Sequence, residues 1–400
     1  MTTLGFDEDR LARIDRHFQR YVDDGRLTGF QLQVGRHGHV AHEASYGLAD
    51  VEAGRPVAED TLWRIYSMTK PIVSVAAMIL WEEGLFELTD PVSRFIPSFA
   101  DAQVYDKGSS TTPFLVPATE PVRLWHLLSH TSGLTYGFLQ VHPVDAIYRA
   151  AGFEFGAPKG MDLAGACDAW AGLPLRFQPG TAWGYGVSTD VLGRVVEVVS
   201  GQSLDAFVRD RILAPLGMKD TRWWVEGADT DRLAALYAAY QGQAVRYDVL
   251  GTAALRRPAM LSGGGGLIST AADYWQFVRM LLGSGAVDGT RLLAPRTVEL
   301  MTRNHLPGGR DLAALNSGGF AETIFDGIGF GLGFATTMDQ IPGKTAASPG
   351  EFYWGGLAST AFWVDPSTGV AATFFTQLLP SSTYPIRAQL RQLVYSALID

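Results

Sequence analysis

A hydroxyl and an amine stand three residues apart in Ser67-Met68-Thr69-Lys70, and an apolar run, residues 71–80, follows at once. On a helix, side chains at i and i+3 lie on one face, one above the other. Such a pair is a nucleophile beside a base. A helix start also offers free N–H groups and a positive dipole end, which suit an oxyanion and depress a neighbouring ammonium pKa. Pro71 fits a first turn, where its missing N–H costs nothing. Lysine is scarce, at Lys70, Lys107, Lys159, Lys219 and Lys344 only, so the pairing is not one of many. Taken alone, the tetrad equally describes a serine N-cap followed by a solvated lysine.

Two further stretches carry residues that could complete such a site. Residues 179–188 read Pro-Gly-Thr-Ala-Trp-Gly-Tyr-Gly-Val-Ser. This is a turn, then glycines that admit close backbone approach, with Tyr185 just ahead of a helical pattern. A buried phenol beside a lysine ammonium would have a lowered pKa and could shuttle a proton. By itself Tyr185 also fits a core or rim tyrosine. Residues 352–360 read Phe-Tyr-Trp-Gly-Gly-Leu-Ala-Ser-Thr. Gly355 and Gly356 would let an edge strand lie against a ligand, with its N–H groups free to bind an oxyanion, or would mark a bulge.

The elements that must hold these residues follow from periodicity. Residues 8–24 repeat Leu11, Ile14, Phe18 and Tyr21 at helical spacing. Residues 30–34 and 39–46 alternate as two strands of a hairpin around Gly35 and Gly38. Residues 90–136, broken by five prolines and a polar 108–112 patch, read as a loop-rich rim. Helical patterns occupy 124–128, 162–171, 189–199, 204–212 and 271–282. Strands occupy 266–270, 359–364 and 370–375, with a turn at 365–369, and a last amphipathic helix spans 385–398. The order predicts an α+β fold, an antiparallel sheet flanked by the terminal helices with a mainly helical insertion. Its domains would be 1–88 with 261–400, and 89–260, the active site lying in the cleft between them.

Composition narrows the partners. The chain has 400 residues, 47% hydrophobic and 18% charged, which is a globular mix with room for a large core. A net charge of −9 disfavours nucleic acid, whose phosphates want a basic face. Cys167 is the single cysteine, so there is no disulfide framework and no thiolate metal cluster. His126 and His130 stand at i, i+4 without an acidic partner between them, and no metal or other cofactor is expected. The polar, acidic N-terminus lacks a signal peptide's basic and apolar regions, and no apolar run is long enough to span a bilayer. A cytoplasmic protein acting on a small molecule, with no membrane partner, is the expectation.

The three stretches in this order resemble the serine β-lactamase and penicillin-binding-protein superfamily, in particular the class C branch and its offshoot, the family VIII carboxylesterases. Ser67–Lys70 matches the Ser-x-x-Lys motif. Tyr185-Gly186-Val187 matches Tyr-x-Asn with valine in place of asparagine, and Trp354-Gly355-Gly356 occupies the Lys-Thr-Gly position. Residues 127–134, 215–221 and 265–270 agree as flanking text. The resemblance implies the β-lactamase-like fold and a Ser67 acyl-enzyme, with Lys70 and Tyr185 sharing the general base. It also implies backbone N–H groups of Ser67 and Leu357 as the oxyanion hole. The departures at Val187 and Trp354 remove an amide and a carboxylate-binding cation, which favours neutral esters over anionic β-lactams. Trp354, Gly355, Gly356, Tyr136, Trp183 and Val187 are the expected substrate wall. The expected activity is hydrolysis of short-chain esters. Acyl transfer to an alcohol, and β-lactamase or D-amino-acid peptidase activity, are the alternatives.

Overall fold

Strand Val370–Phe375 shows how the molecule is layered, because every residue in it is buried. Adjacent side chains of a strand point to opposite faces. Phe374 meets Phe18 of the first helix at 4.8 Å, while Phe375 meets Trp63 and Tyr274 at 6.4 and 6.2 Å. Both faces of the sheet are therefore covered, and the strand reads as an unbroken apolar run.

The computed structural model describes residues 2–316, 318–320 and 322–400. Among the described residues, the principal elements are helix α1 (Glu8–Asp23), strands β1 (Gly29–Arg36), β2 (His39–Asp50) and β3 (Arg55–Pro56), and helix α2 (Thr69–Glu82). Helices α3 (Ser188–Ser200) and α4 (Ala271–Leu282) follow. Then come β4 (Ile328–Phe330), β5 (Ala335–Thr337), β6 (Phe352–Gly355), β7 (Ala361–Asp365), β8 (Val370–Phe375) and helix α5 (Ile386–Ala397). The eight strands form one antiparallel sheet in the order β4-β5-β6-β7-β8-β1-β2-β3. Helices α1 and α5 pack together, and α4 covers β8, β7 and β1. The α1 stripe of Leu11, Ile14, Phe18 and Tyr21 is buried as its spacing requires, and Asp7 caps the helix by accepting from the Arg10 N–H. The fold is β-lactamase-like, a mixed α/β architecture with an antiparallel sheet.

Residues 89–260 contribute most of the shorter helices, and α2 packs against α3 within them. The 90–136 stretch is more ordered than its prolines suggest. Gln103–Gly108 pairs with Pro113–Pro117 as a hairpin, with the polar 108–112 patch as its turn. Two of the prolines sit at strand ends, where a missing N–H is tolerated. A second hairpin, Tyr237–Tyr240 with Gln243–Arg246, pairs in parallel with Leu378–Leu379. Helix 204–212 splits into Leu204–Val208 and a wide turn, Arg209–Leu213. Cys167 is buried in helix Leu163–Ala171. No helix of the described residues is long and apolar enough to cross a membrane.

Candidate active site

Ser67 lies one turn earlier than a simple helix start. It sits in a 3₁₀ turn, Tyr66–Met68, and α2 proper begins at Thr69. Ser67 and Lys70, three residues apart across this junction, still share one face. The Lys70 ammonium donates to Ser67 Oγ at 3.2 Å, to Tyr136 Oη at 2.9 Å and to the Gly264 carbonyl at 2.7 Å. Tyr66, just before the serine, holds φ at +43°, a left-handed conformation that a bulky side chain adopts only under constraint. Two residues on, the turn is tied to the neighbouring helix α4 by the Tyr274 hydroxyl, which donates to the Met68 carbonyl at 3.0 Å. Lys70 is 1% exposed, and burial lowers its pKa to about 8, with Asp190 and Glu322 opposing that fall.

Tyr185 is presented by two loops zipped together. The Gly184 N–H donates to the His130 carbonyl at 2.9 Å and the Gly180 N–H to that of Thr131 at 2.8 Å. Gly186 is needed for that fit, since a Cβ there would stand 2.3 Å from the Leu134 carbonyl oxygen. The ring of Tyr185 lies 4.5 Å from the Lys70 Nζ, and its hydroxyl accepts from the indole N–H of Trp354 at 3.2 Å. Burial pushes the Tyr185 phenol well up, and the Glu322 carboxylate adds to that rise. Contacts with Ser67 and Trp354 only partly offset it. The expectation of a lowered phenol pKa is thus corrected: the Lys70 Nζ stands close to the ring, but desolvation of the phenolate decides the direction.

The glycine run 263–266 supplies the third side. Its Gly264 carbonyl reaches Lys70 because nothing projects from the loop. A Cβ on Gly264 would fall 2.5 Å from Asp190 Oδ2 and 2.9 Å from Tyr136 Oη. Asp190, in the first turn of α3, accepts from Ser262 Oγ at 2.6 Å and from the Gly264 N–H at 3.0 Å. Asp190 carries no distinguishing signal in the sequence, because an acidic residue in a helix's first turn is ordinary. Gly264, which acts through its carbonyl, is equally silent by residue type. Four consecutive glycines were the available signal.

Leu357 lies in the turn between β6 and β7. That turn is closed by the Gly356 N–H on the Thr360 carbonyl at 2.9 Å and by the Ser359 N–H on that of Gly356 at 3.0 Å. The Arg387 guanidinium fixes it further, donating to the Gly356 and Thr360 carbonyls at 2.9 Å each. Among the described residues, the Ser67 and Leu357 amides donate to no carbonyl in the backbone network. Both residues line a cavity of about 500 Å³ shared with Tyr136, Tyr185, Phe138 and Phe320.

The remaining expected wall residues stand elsewhere. Trp354, Trp183 and Val187 are buried and do not line the cavity. They pack behind Tyr185, with Trp183 stacked on it at 6.1 Å and Trp354 edge-on at 5.4 Å. Gly355 and Gly356 admit protein rather than ligand. A Cβ would stand 2.3 Å from the Arg387 guanidinium at the first and 2.3 Å from the Ile65 carbonyl oxygen at the second. Strand β6 is interior to the sheet rather than at its edge. Its pairing with β5 stops at Tyr353, however, so Trp354 and Gly355 have a free side. His130 packs against Tyr185 with tilted rings 5.1 Å apart, and burial holds it neutral. His126 accepts from the Arg123 N–H at 3.0 Å through Nδ1, with a pKa lowered to about 3 by burial.

The Beta-lactamase family model matches residues 14–396. The chain belongs to that family. It is 35% identical to an uncharacterised protein of Mycobacterium tuberculosis over 90% of this chain and 88% of that one. It is 33% identical to esterase EstB of Burkholderia gladioli, over 99% of this chain and 98% of the relative. Among solved structures, EstCE1, a hydrolase with promiscuous acyltransferase activity, superimposes with a TM-score of 0.83. The identity is 28%, over 97% of this chain and 99% of that one. The chain is a serine hydrolase of this fold.

Proposed function

We propose that the chain is a carboxylesterase that forms an acyl-enzyme on Ser67 Oγ. The observation that carries this reading is the buried Lys70 amine, 3.2 Å from that oxygen, with Ser67 itself in the lining of an apolar cavity. Neutral Lys70 accepts the Ser67 proton as the oxygen attacks the ester carbonyl. The amides of Ser67 and Leu357 bind the oxyanion; removing such a donor typically costs on the order of 100- to 1000-fold. Tyr185, a phenol throughout, passes its proton to the departing alkoxide and regains one from the Lys70 ammonium. Water then resolves the acyl-enzyme by the same route reversed. Tyr136 and the Gly264 carbonyl hold the amine in place.

A second reading, acyl transfer to an alcohol, draws on one specific feature. A second apolar cavity, of about 380 Å³, shares Phe138, Phe155, Leu250, Phe320 and Leu357 with the first. An acceptor alcohol has room beside the acyl group there. β-Lactam hydrolysis is disfavoured, since the positions of Trp354 and Val187 supply neither a cation nor an amide and both side chains pack outside the cavity lining. Treatment with a fluorophosphonate tests the reading. One adduct is expected by intact mass, mapping to Ser67 and absent in Ser67→Ala, together with loss of p-nitrophenyl butyrate hydrolysis. An adduct on another residue would defeat it. Adding a primary alcohol and measuring the new ester against free acid separates transfer from hydrolysis.

A further inference from the structure

One carboxylate in the cavity lining is only half committed. Glu322 lines the cavity and is 1% exposed. Its Oε2 accepts from Arg387 at 2.6 Å and from Ser381 Oγ at 2.8 Å, while its Oε1 has no partner. Among the described residues it is the one carboxylate oxygen that is buried and unpartnered.

Helix α5 provides an internal contrast. Arg391, one turn after Arg387, pairs with a second buried glutamate, Glu351. There Arg391 Nε donates to Oε1 at 2.9 Å and the Tyr395 hydroxyl to Oε2 at 2.6 Å, so both oxygens are taken. Glu351 lies outside the cavity lining. Two arginines of one helix thus hold glutamates that differ in completeness, and the incomplete one belongs to a residue of the cavity lining. A buried acceptor without a donor is costly, and a ligand that brings the donor recovers that cost.

The cations nearby do not supply it. Lys70 is held by three acceptors. Arg64, also in the lining, donates to the Ala234 and Gly251 carbonyls and to Gln377. Lys159 is exposed at the rim. Arg387 directs its two Nη groups to Glu322 Oε2 and to the Glu322, Gly356 and Thr360 carbonyls, and its Nε, itself without a partner, makes no bond to Oε1.

We propose that Glu322 is a specificity determinant that accepts a hydrogen bond from a hydroxyl or ammonium group carried by the ester and rejects esters bearing a second carboxylate. The inference rests on the Ser67 esterase reading. Glu322→Gln reverses the recognition. The Arg387 guanidinium has only donors, so it holds the amide oxygen, and the amide NH₂ takes the place of Oε1. An acceptor becomes a donor.

The test uses esters whose chain ends differ far from the carbonyl. The acyl series is methyl hexanoate, methyl 6-hydroxyhexanoate, methyl 6-aminohexanoate and monomethyl adipate. The alcohol series is pentyl acetate, 5-hydroxypentyl acetate and 5-acetoxypentanoate. In at least one series the wild type should turn over the hydroxy ester at least tenfold faster, by kcat/KM, than the carboxylate. Glu322→Gln should cut that ratio tenfold or more, and Glu351→Gln should leave it within twofold. A wild-type ratio near one in both series overturns the proposal, as does a ratio that Glu322→Gln leaves unchanged. Hydrolysis that survives Ser67→Ala would instead defeat the reading beneath it.

Discussion

The two proton-handling residues of the site are buried to the same degree, yet their surroundings differ in kind. Lys70 is surrounded by oxygen: Ser67 Oγ, Tyr136 Oη and the Gly264 carbonyl, with Asp190 close enough to favour its charge. Tyr185 is surrounded by rings, those of His130, Trp183 and Trp354, and its hydroxyl receives one indole N–H. Burial penalises the charged form of each, so it drives the two pKa values in opposite directions. The lysine falls to about 8 and the tyrosine rises. Near neutral pH only the lysine can change its proton count. In the proposed esterase mechanism the oxygen-lined side therefore supplies the base, and the ring-lined side supplies a fixed phenol that relays.

The strongest way to break this division is to remove either partner. Lys70→Ala and Tyr185→Phe should each lower kcat/KM for p-nitrophenyl butyrate by three orders of magnitude or more. The double variant should be little worse than either, because one proton relay is lost once. Fully multiplicative losses would show two independent roles. The division also fixes a pH profile. The active form of Lys70 is the free amine, which accumulates as pH rises through its pKa. In the wild type, kcat/KM should therefore climb with a midpoint near 8. A profile that is flat from pH 6 to 9 would place the base elsewhere.

Tyr136→Phe sharpens the comparison by stripping one acceptor from the oxygen-lined side alone. The lost bond is charge-assisted, and hydrogen bonds to charged groups contribute about 1.5–3 kcal/mol, so a fall of roughly 10- to 100-fold at pH 7 to 9 is an upper bound. The sign of the accompanying shift is diagnostic. Tyr136 accepts from the ammonium form, so its loss favours the free amine and moves the pH midpoint below that of the wild type. A merely structural effect would lower the rate and leave the midpoint in place.

How much of this was legible in the sequence follows the same divide. Ser67, Lys70 and Tyr185 are brought together, and the sheet with its terminal helices follows the apolar periodicities of residues 8–50 and 352–398. These patterns are local, and local sequence carries them. What the sequence could not carry were contacts made by backbone and by distant charge. Gly264 matters through a carbonyl, which every residue has. Asp190 matters because Lys70 and the glycine run approach it from elsewhere in the chain. Glu322 meets Arg387 across 65 residues. Trp354 was expected to face the ligand because it stands where a substrate-binding lysine does in similar proteins. Its indole instead turns to Tyr185, where the ring cluster buries it and its N–H finds an acceptor.

That placement yields the smallest predicted effect, and it tests the ring-lined side. Trp354→Phe keeps an aromatic face toward Tyr185 and Phe330, which lie 5.4 and 5.2 Å away, but removes the indole N–H that donates to the phenol oxygen. A neutral hydrogen bond contributes about 0.5–1.5 kcal/mol, so kcat should fall roughly 2- to 12-fold. KM should change little, since the indole does not line the cavity. Because Tyr185 stays protonated with or without the donor, the pH midpoint set by Lys70 should hold, in contrast to Tyr136→Phe. Steady-state kinetics from pH 6 to 9 would decide it. A large rise in KM at constant kcat would return Trp354 to the substrate wall, and a shifted midpoint would mean that the two sides of the site titrate together.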